Sequence, residues 1–382
     1  MGYDAAVVES IICSMFHGWP SVMFGKQNRS EIDIIKGILI VSVVVGHNEA
    51  IAYNAPWLRK LLYYFHVQGF FLLSALLDTK PFSWPLIRDR GVRYVVPYAA
   101  FLTLCWTAFA LMRGHADDSI TSLVLGLVYA DSSSIYAATG MRYLWFLPSL
   151  FVFVVLKSIA FRWPAIGKAI AVVAWCWMCS AALILAHVPG EPPWGAASAL
   201  FFFGLGQAGA LTSRLFPETI RPYRGLFLLV ATVLLSAVVV FVPLGWVAAA
   251  NVASYDIRQP LTWVVGVVYP WFFLALLDLF SSHASLWFHH TIRLTLDAFG
   301  KYSLPIYLIH MPVYRILTRA YFGNHFDSVD AVGPEFAVGM VILAATLAVS
   351  LAVAMALWRF RRVRGLLFPR DWQEWKAAVF LW

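Results

Sequence analysis

The sequence predicts an all-α fold, a polytopic transmembrane helical bundle of about ten spans, and three observations lead to it. Apolar residues make up 61% of the 382 and charged residues only 13%, roughly half the charged share of a soluble globule. Apolar runs of about 20 residues, long enough to cross a hydrocarbon core, recur along nearly the whole chain. Mean hydropathy is +0.74. Length alone would suggest two or three soluble domains. With lipid as solvent, one bundle uses the entire length.

The apolar runs place spans near 32–52, 60–78, 92–112, 143–160, 168–187, 196–212, 225–247, 261–280, 299–317 and 336–358. Segment 119–130 is too short to cross and reads as re-entrant or interfacial. Residues 1–28 lack a basic stretch followed by an apolar run and a cleavage site, so they read as an N-terminal extension of interfacial character rather than a signal peptide. Residues 29–360 form the membrane domain and 361–382 a cytoplasmic basic tail. No internal repeat of the transporter kind is visible.

Charge sets the orientation. With both termini cytoplasmic, twenty of the 28 lysines and arginines fall on the cytoplasmic side and seven outside, with Lys36 inside the first span. This predicts a multi-pass protein of the cell inner membrane. The net charge of +8 and the run RFRRVR then serve topology, and no nucleic-acid partner is expected. The four cysteines suggest no disulfide framework. Cys176 and Cys179 form a C-x-x-C inside the apolar run AVVAWCWMCSAALIL, where inert packing is the expected role. No metal is expected.

The first span reads EIDIIKGILIVSVVVGHNEAIAY and carries Asp33, Lys36 and His47. Ionisable groups within a membrane are costly and usually face a polar cavity. Lys36 and His47 lie 11 residues apart, three turns along one face and about 16 Å along the axis. Asp33 is one turn before Lys36 and suits pairing with it. The plainer readings are snorkelling for Lys36 and a satisfied structural histidine for His47. The second span holds His66 among aromatics in YYFHVQGFFLLSALL. Arg88, Arg90 and Arg93 follow at the start of the third; they read either as positive-inside charge or as a phosphate site. The fourth opens with Arg142 and Trp145 in RYLWFLPSLF, which an interfacial aromatic belt explains equally well. In the ninth, Ser303, Tyr307, His310 and Tyr314 share one polar helix face.

These motifs, in this order, resemble the acyltransferase-3 family of membrane O-acyltransferases, over approximately residues 29–360. The resemblance rests on EIDIIKGILIVSVVVGH, FHVQGFFLLSALL, the arginines leading to VVPY, LWFLPSLF and GKYSLPIYLIHMPV. It is closest to the branch of fucose-acetylase-like and exopolysaccharide-decorating enzymes. Relatives usually carry proline where Gln68 stands and glycine where Ala75 stands. These departures bear on the kink and packing of the second span and leave the histidine in place.

The resemblance implies acetyl-CoA, or a related acyl-CoA, as cytoplasmic donor. It implies a hydroxyl of a cell-surface polysaccharide or its lipid-linked precursor as acceptor, with polysaccharide synthesis machinery as a further partner. On that reading His47 is catalytic, either as general base or as acyl-accepting nucleophile. Lys36, Arg88, Arg90 and Arg93 bind the nucleotide phosphates. His66, Arg142, Trp145, Tyr307 and His310 bind substrate, and Asp33 pairs with a cation. The rival readings are a secondary transporter and a glycan flippase, which would use the same buried polar groups as a translocation path.

Overall fold

The structure, a computed structural model, describes residues 29–77, 80–113, 120–184, 193–196, 198–204, 287–322 and 336–380, with a few further positions between 226 and 237. The expected spans at 225–247 and 261–280, most of that at 196–212 and the segment 1–28 lie outside the described residues. So do the side chains of Cys176 and Cys179.

Every regular element among the described residues is a helix. Two pass a test of length and apolarity for crossing a membrane: Tyr143–Arg162 and Phe336–Arg359. The expected first span is not one helix. It forms α1 (Arg29–Gly46) and α2 (Glu49–Asn54), broken at His47 and Asn48. Asn48 is extended (φ −79, ψ 121) and its side chain accepts from the Ile51 N–H, so it caps a new helix instead of continuing the old one.

α3 (Pro56–Leu77) runs back along α1. α4 (Trp84–Arg113) is 30 residues long and starts ahead of the apolar run. Arg88, Arg90 and Arg93 therefore sit on its first turns. The short apolar segment becomes α5 (Ile120–Tyr129), paired with α6 (Ser132–Thr139). A 3-10 turn at Tyr143–Trp145 leads into α7 (Phe146–Arg162), and α8 (Pro164–Ile184) packs on α7.

Five further helices complete the described residues. The expected ninth span is interrupted at Tyr302, giving α9 (Trp287–Lys301) and α10 (Ser303–Phe322). α11 (Phe336–Arg359) packs on α10. The basic tail folds into α12 (Arg361–Leu367) and α13 (Trp372–Phe380), which pack on each other and on α4. Phe368, between them, is 2% exposed and sits against Phe101 of α4.

α1 is the central element, touching α3, α9, α10 and α11. Its packing on α9 requires glycine. A Cβ on Gly37 would lie 2.0 Å from the Leu296 carbonyl oxygen, and one on Gly300 would lie 1.6 Å from that of Asp33. No side chain fits at either distance, so these glycines set how closely the two backbones approach. The core around them is apolar and aromatic: Leu39, Ile40 and Val43 of α1 join Phe71 of α3 and Phe153 of α7.

Lys157 is 6% exposed within α7. Its ammonium donates to the carbonyl of Ser74, at 3.1 Å, and to that of Ala75. These are among the last carbonyls of α3, which lack partners inside the helix. A cation there also meets the negative end of the helix dipole.

Candidate active site

Three histidines meet where α1 ends. His47 closes the last turn of α1, with its backbone N–H donating to the Val43 carbonyl at 3.1 Å. Its ring lies 5.2 Å from that of His310 on α10 and 6.4 Å from that of His66 on α3, centroid to centroid. Tyr63, one turn before His66, packs on both, at 5.9 Å from His47 and 5.0 Å from His66.

The hydrogen bonds decide the tautomer. His47 Nδ1 lies 2.8 Å from the Val43 carbonyl oxygen, His66 Nδ1 2.5 Å from that of Leu62, and His310 Nδ1 2.6 Å from that of Tyr307. A carbonyl only accepts, so each Nδ1 carries the proton and donates it. In the neutral ring the remaining nitrogen, Nε2, is then the acceptor lone pair. His66 and His310 are each 1% exposed. His310 Nε2 is buried with no hydrogen-bond partner among the described residues, which is rare for a polar atom without a task.

The geometry of the break holds His47 in place. Asn48 Nδ2 donates to the Gly339 carbonyl on α11 at 3.0 Å, and the Glu49 N–H donates to the Tyr314 hydroxyl on α10 at 3.1 Å. The chain just after His47 is thus anchored to two other helices. Arg59, on the first turns of α3, stacks over Tyr63 at 5.4 Å.

Two tyrosines lock the far side. The Tyr307 hydroxyl donates to the Tyr143 carbonyl, and the Tyr143 hydroxyl donates to the Leu308 carbonyl at 2.8 Å. Both phenolic protons are therefore committed to backbone. These rings position the imidazoles, with Tyr143 5.4 Å and Tyr307 6.0 Å from His310.

Beside His47 and His66 lies a recess with about 370 Å³ of empty space, its open mouth included. Val43, Val67, Phe70 and Phe146 form its apolar wall, and Tyr63, Tyr143, Trp145 and Tyr307 complete it. His310 stands behind this wall, against His47 and Tyr143. No group of three or more His, Cys, Asp or Glu among the described residues is placed to hold a metal.

Of the residues singled out in the sequence, His47, His66, His310, Tyr307 and Trp145 come together here. Trp145 is 5% exposed and faces inward. Arg142 does not join them: it is exposed and stacks over Tyr136 at 4.7 Å. Lys36 pairs with Asp33 at 3.1 Å, three turns down α1 from His47. The arginines lie at the foot of α4, against α13. Arg88 stacks over Trp372 at 5.4 Å, and neighbouring Asp89 accepts from the Trp372 N–H at 3.2 Å. Arg93 stacks over Tyr94 at 5.9 Å.

Sequence reasoning missed Tyr63, Tyr143 and Asn48. Two of them had a readable signal: Tyr63 is one turn from His66, and Asn48 is a cap-forming residue placed directly after the histidine.

The central helix of the bundle thus ends in a histidine cluster, with a cation three turns below. Residues 29–359 match the family model Acyl_transf_3, described as an acyltransferase domain, and the chain belongs to that family. It is a membrane acyltransferase domain. No curated protein and no solved structure gives a significant match.

Proposed function

We propose that the protein moves an acyl group, acetyl or a close relative, from cytoplasmic acyl-CoA to a hydroxyl of a cell-surface polysaccharide or its lipid-linked precursor. The observation that carries this reading is the set of imidazoles whose Nδ1 atoms are tied to backbone carbonyls, with His310 Nε2 left without a partner among the described residues. A base with that arrangement takes a proton from a bound hydroxyl without first rearranging.

The reaction balances with one such base. His47 Nε2 takes the hydroxyl proton while the oxygen attacks the thioester carbonyl carbon. The new C–O bond forms, the C–S bond breaks, and the imidazolium returns the proton to the departing thiolate, giving the ester and free CoA. His66 and His310 orient His47 and the acceptor. Lys36 and the Arg88, Arg90, Arg93 group hold the nucleotide phosphates, since guanidinium forks match phosphate oxygens. Pantetheine then spans the three turns from Lys36 to His47. The proposal includes about ten spans in the inner membrane with both termini cytoplasmic, supported by the distribution of basic residues.

The direct test is thioester consumption by the purified full-length chain in proteoliposomes, given acetyl-CoA and the host's surface glycan fraction. Ester must appear on the glycan in step with free CoA. A chain that moves glycan or ions across the vesicle wall without releasing CoA would favour the transporter or flippase reading. Reporter fusions at residue 382 and at Gly190 test the topology; a C-terminal fusion that reports from outside would sink it.

A further inference from the structure

We propose that Trp372 of α13 is a positioning residue of the donor site: its indole holds the Arg88 guanidinium at the foot of α4 for the nucleotide phosphates of acyl-CoA. The C-terminal helix pair is then part of that site. This rests on acyl-CoA being the donor and deepens that reading.

The tail is built to deliver Trp372 to one place. The Glu374 carboxylate accepts from Arg364 Nε at 2.8 Å and from the Arg370 backbone N–H at 3.0 Å. Arg364 and Arg370 both lie over the Trp358 ring of α11, each at 5.6 Å. Asp371 caps α13 by accepting from the Glu374 N–H at 2.9 Å. A Cβ on Gly365 would lie 2.7 Å from that of Ala378, so α12 and α13 approach closely. At the start of α13 the Trp372 N–H donates to Asp89 of α4 at 3.2 Å, and Arg88 lies over the indole at 5.4 Å. Trp375, one turn on, packs against the same indole at 5.1 Å.

The chemistry of the stack suits phosphate. A guanidinium lying on a ring is held by its face, which uses none of its five N–H donors. The Arg88 side chain is 47% exposed, so its N–H edge stays open to a ligand. A guanidinium whose plane is already fixed loses less freedom when it takes phosphate oxygens. Asp89 faces Arg88 Nε at 3.7 Å, and the Trp372 N–H shares that carboxylate. Anchoring the tail would not by itself require a cation here. Phe368 on Phe101 already fastens the tail to α4 through apolar surface.

Competition binding to the detergent-purified full-length chain tests this. Radiolabelled acetyl-CoA is displaced by unlabelled acetyl-CoA or by acetylpantetheine, which carries the thioester but no nucleotide. The readout is the ratio of the two displacing concentrations on one preparation, so loss of folded protein cancels. Arg88→Gln should narrow the advantage of acetyl-CoA, and Trp372→Leu should narrow it by about fivefold with Arg88 still present. Trp372→Phe, which keeps a ring, should hold the native ratio within about twofold. Trp372→Met, unbranched and flexible, replaces the leucine variant if that one impairs folding. A native ratio in Trp372→Leu or Trp372→Met, beside a narrowed one in Arg88→Gln, would overturn the role of Trp372 and leave the donor reading intact. A native ratio in Arg88→Gln as well would remove the phosphates from this foot of α4. If labelled acetyl-CoA does not bind the native chain at all, the donor reading fails and the proposal with it.

Discussion

At one end of α1, His47 sits among His66, His310 and the Tyr143–Tyr307 pair, with each imidazole Nδ1 tied to a carbonyl. Three turns down, the Lys36 side chain is 31% exposed and held by Asp33 at 3.1 Å, and the arginines of α4 stack on the rings of Trp372 and Tyr94. The imidazole end is walled largely by apolar and aromatic side chains, and each ring is tied to a carbonyl of its own helix. The cation end keeps contact with water and uses long, adaptable side chains. Chemistry that moves a proton between two oxygen or sulfur atoms needs the first kind of site, because an ångström of misplacement is costly. Holding phosphates needs only charge and reach, which the second kind provides.

The comparison is broken most severely by separating α1 from α9. Gly300→Val places a side chain where a Cβ alone meets the Asp33 carbonyl oxygen at 1.6 Å. The expected cost is about 3 kcal/mol or more, read as loss of the monodisperse peak in detergent gel filtration and a lowered Tm. Asn48→Ala comes next. It removes the cap of α2 and the side-chain hydrogen bond to the Gly339 carbonyl, for about 1–2 kcal/mol in stability. Because Asn48 adjoins His47, acyl transfer per folded molecule should fall as well, with acyl-CoA affinity retained.

The cation end should respond in the opposite sense. Replacing Arg88, Arg90 and Arg93 together by glutamine should weaken binding of a non-hydrolysable acyl-CoA analogue by about tenfold or more, with little change in Tm. Unchanged affinity in the folded triple variant would reduce the cluster to a topology signal. The smallest effect belongs to Arg142→Gln. That side chain is exposed and stacked on Tyr136 outside the recess, so product formation should stay within about twofold.

Much of this arrangement is legible in the sequence, and the exceptions have physical causes. The spacing of Lys36 and His47 puts them on one face of one helix, because helical geometry is local. His310 and Tyr307 on a polar face of a Pro-flanked apolar helix point the same way. The cap that breaks the helix after His47 is local, from the Ile51 N–H to Asn48 Oδ1, and readable; the tie of Asn48 Nδ2 to Gly339, 291 residues away, is not. The Tyr143–Tyr307 interlock joins side chains 164 residues apart, a separation no local pattern encodes. α9 was absorbed into a loop and a span because its polar residues dilute the apolar run, although it packs against α1 along the Gly37–Leu296 and Gly300–Asp33 contacts. The tail 361–382 looked like plain positive charge. Its helices are held by Phe368 on Phe101 and by the Arg364–Glu374 pair at 2.6 Å.

The central claim is that His47 is the base at the C-terminal end of α1. The most direct measurement is acylated glycan per unit of membrane-inserted protein for His47→Gln, with acyl-CoA binding measured in parallel. Glutamine can replace a hydrogen bond from the ring but does not titrate near neutrality. Transfer should fall by about a hundredfold or more while acyl-CoA binding stays within about twofold. Near-normal product from His47→Gln would contradict the account, reducing His47 to a structural ring.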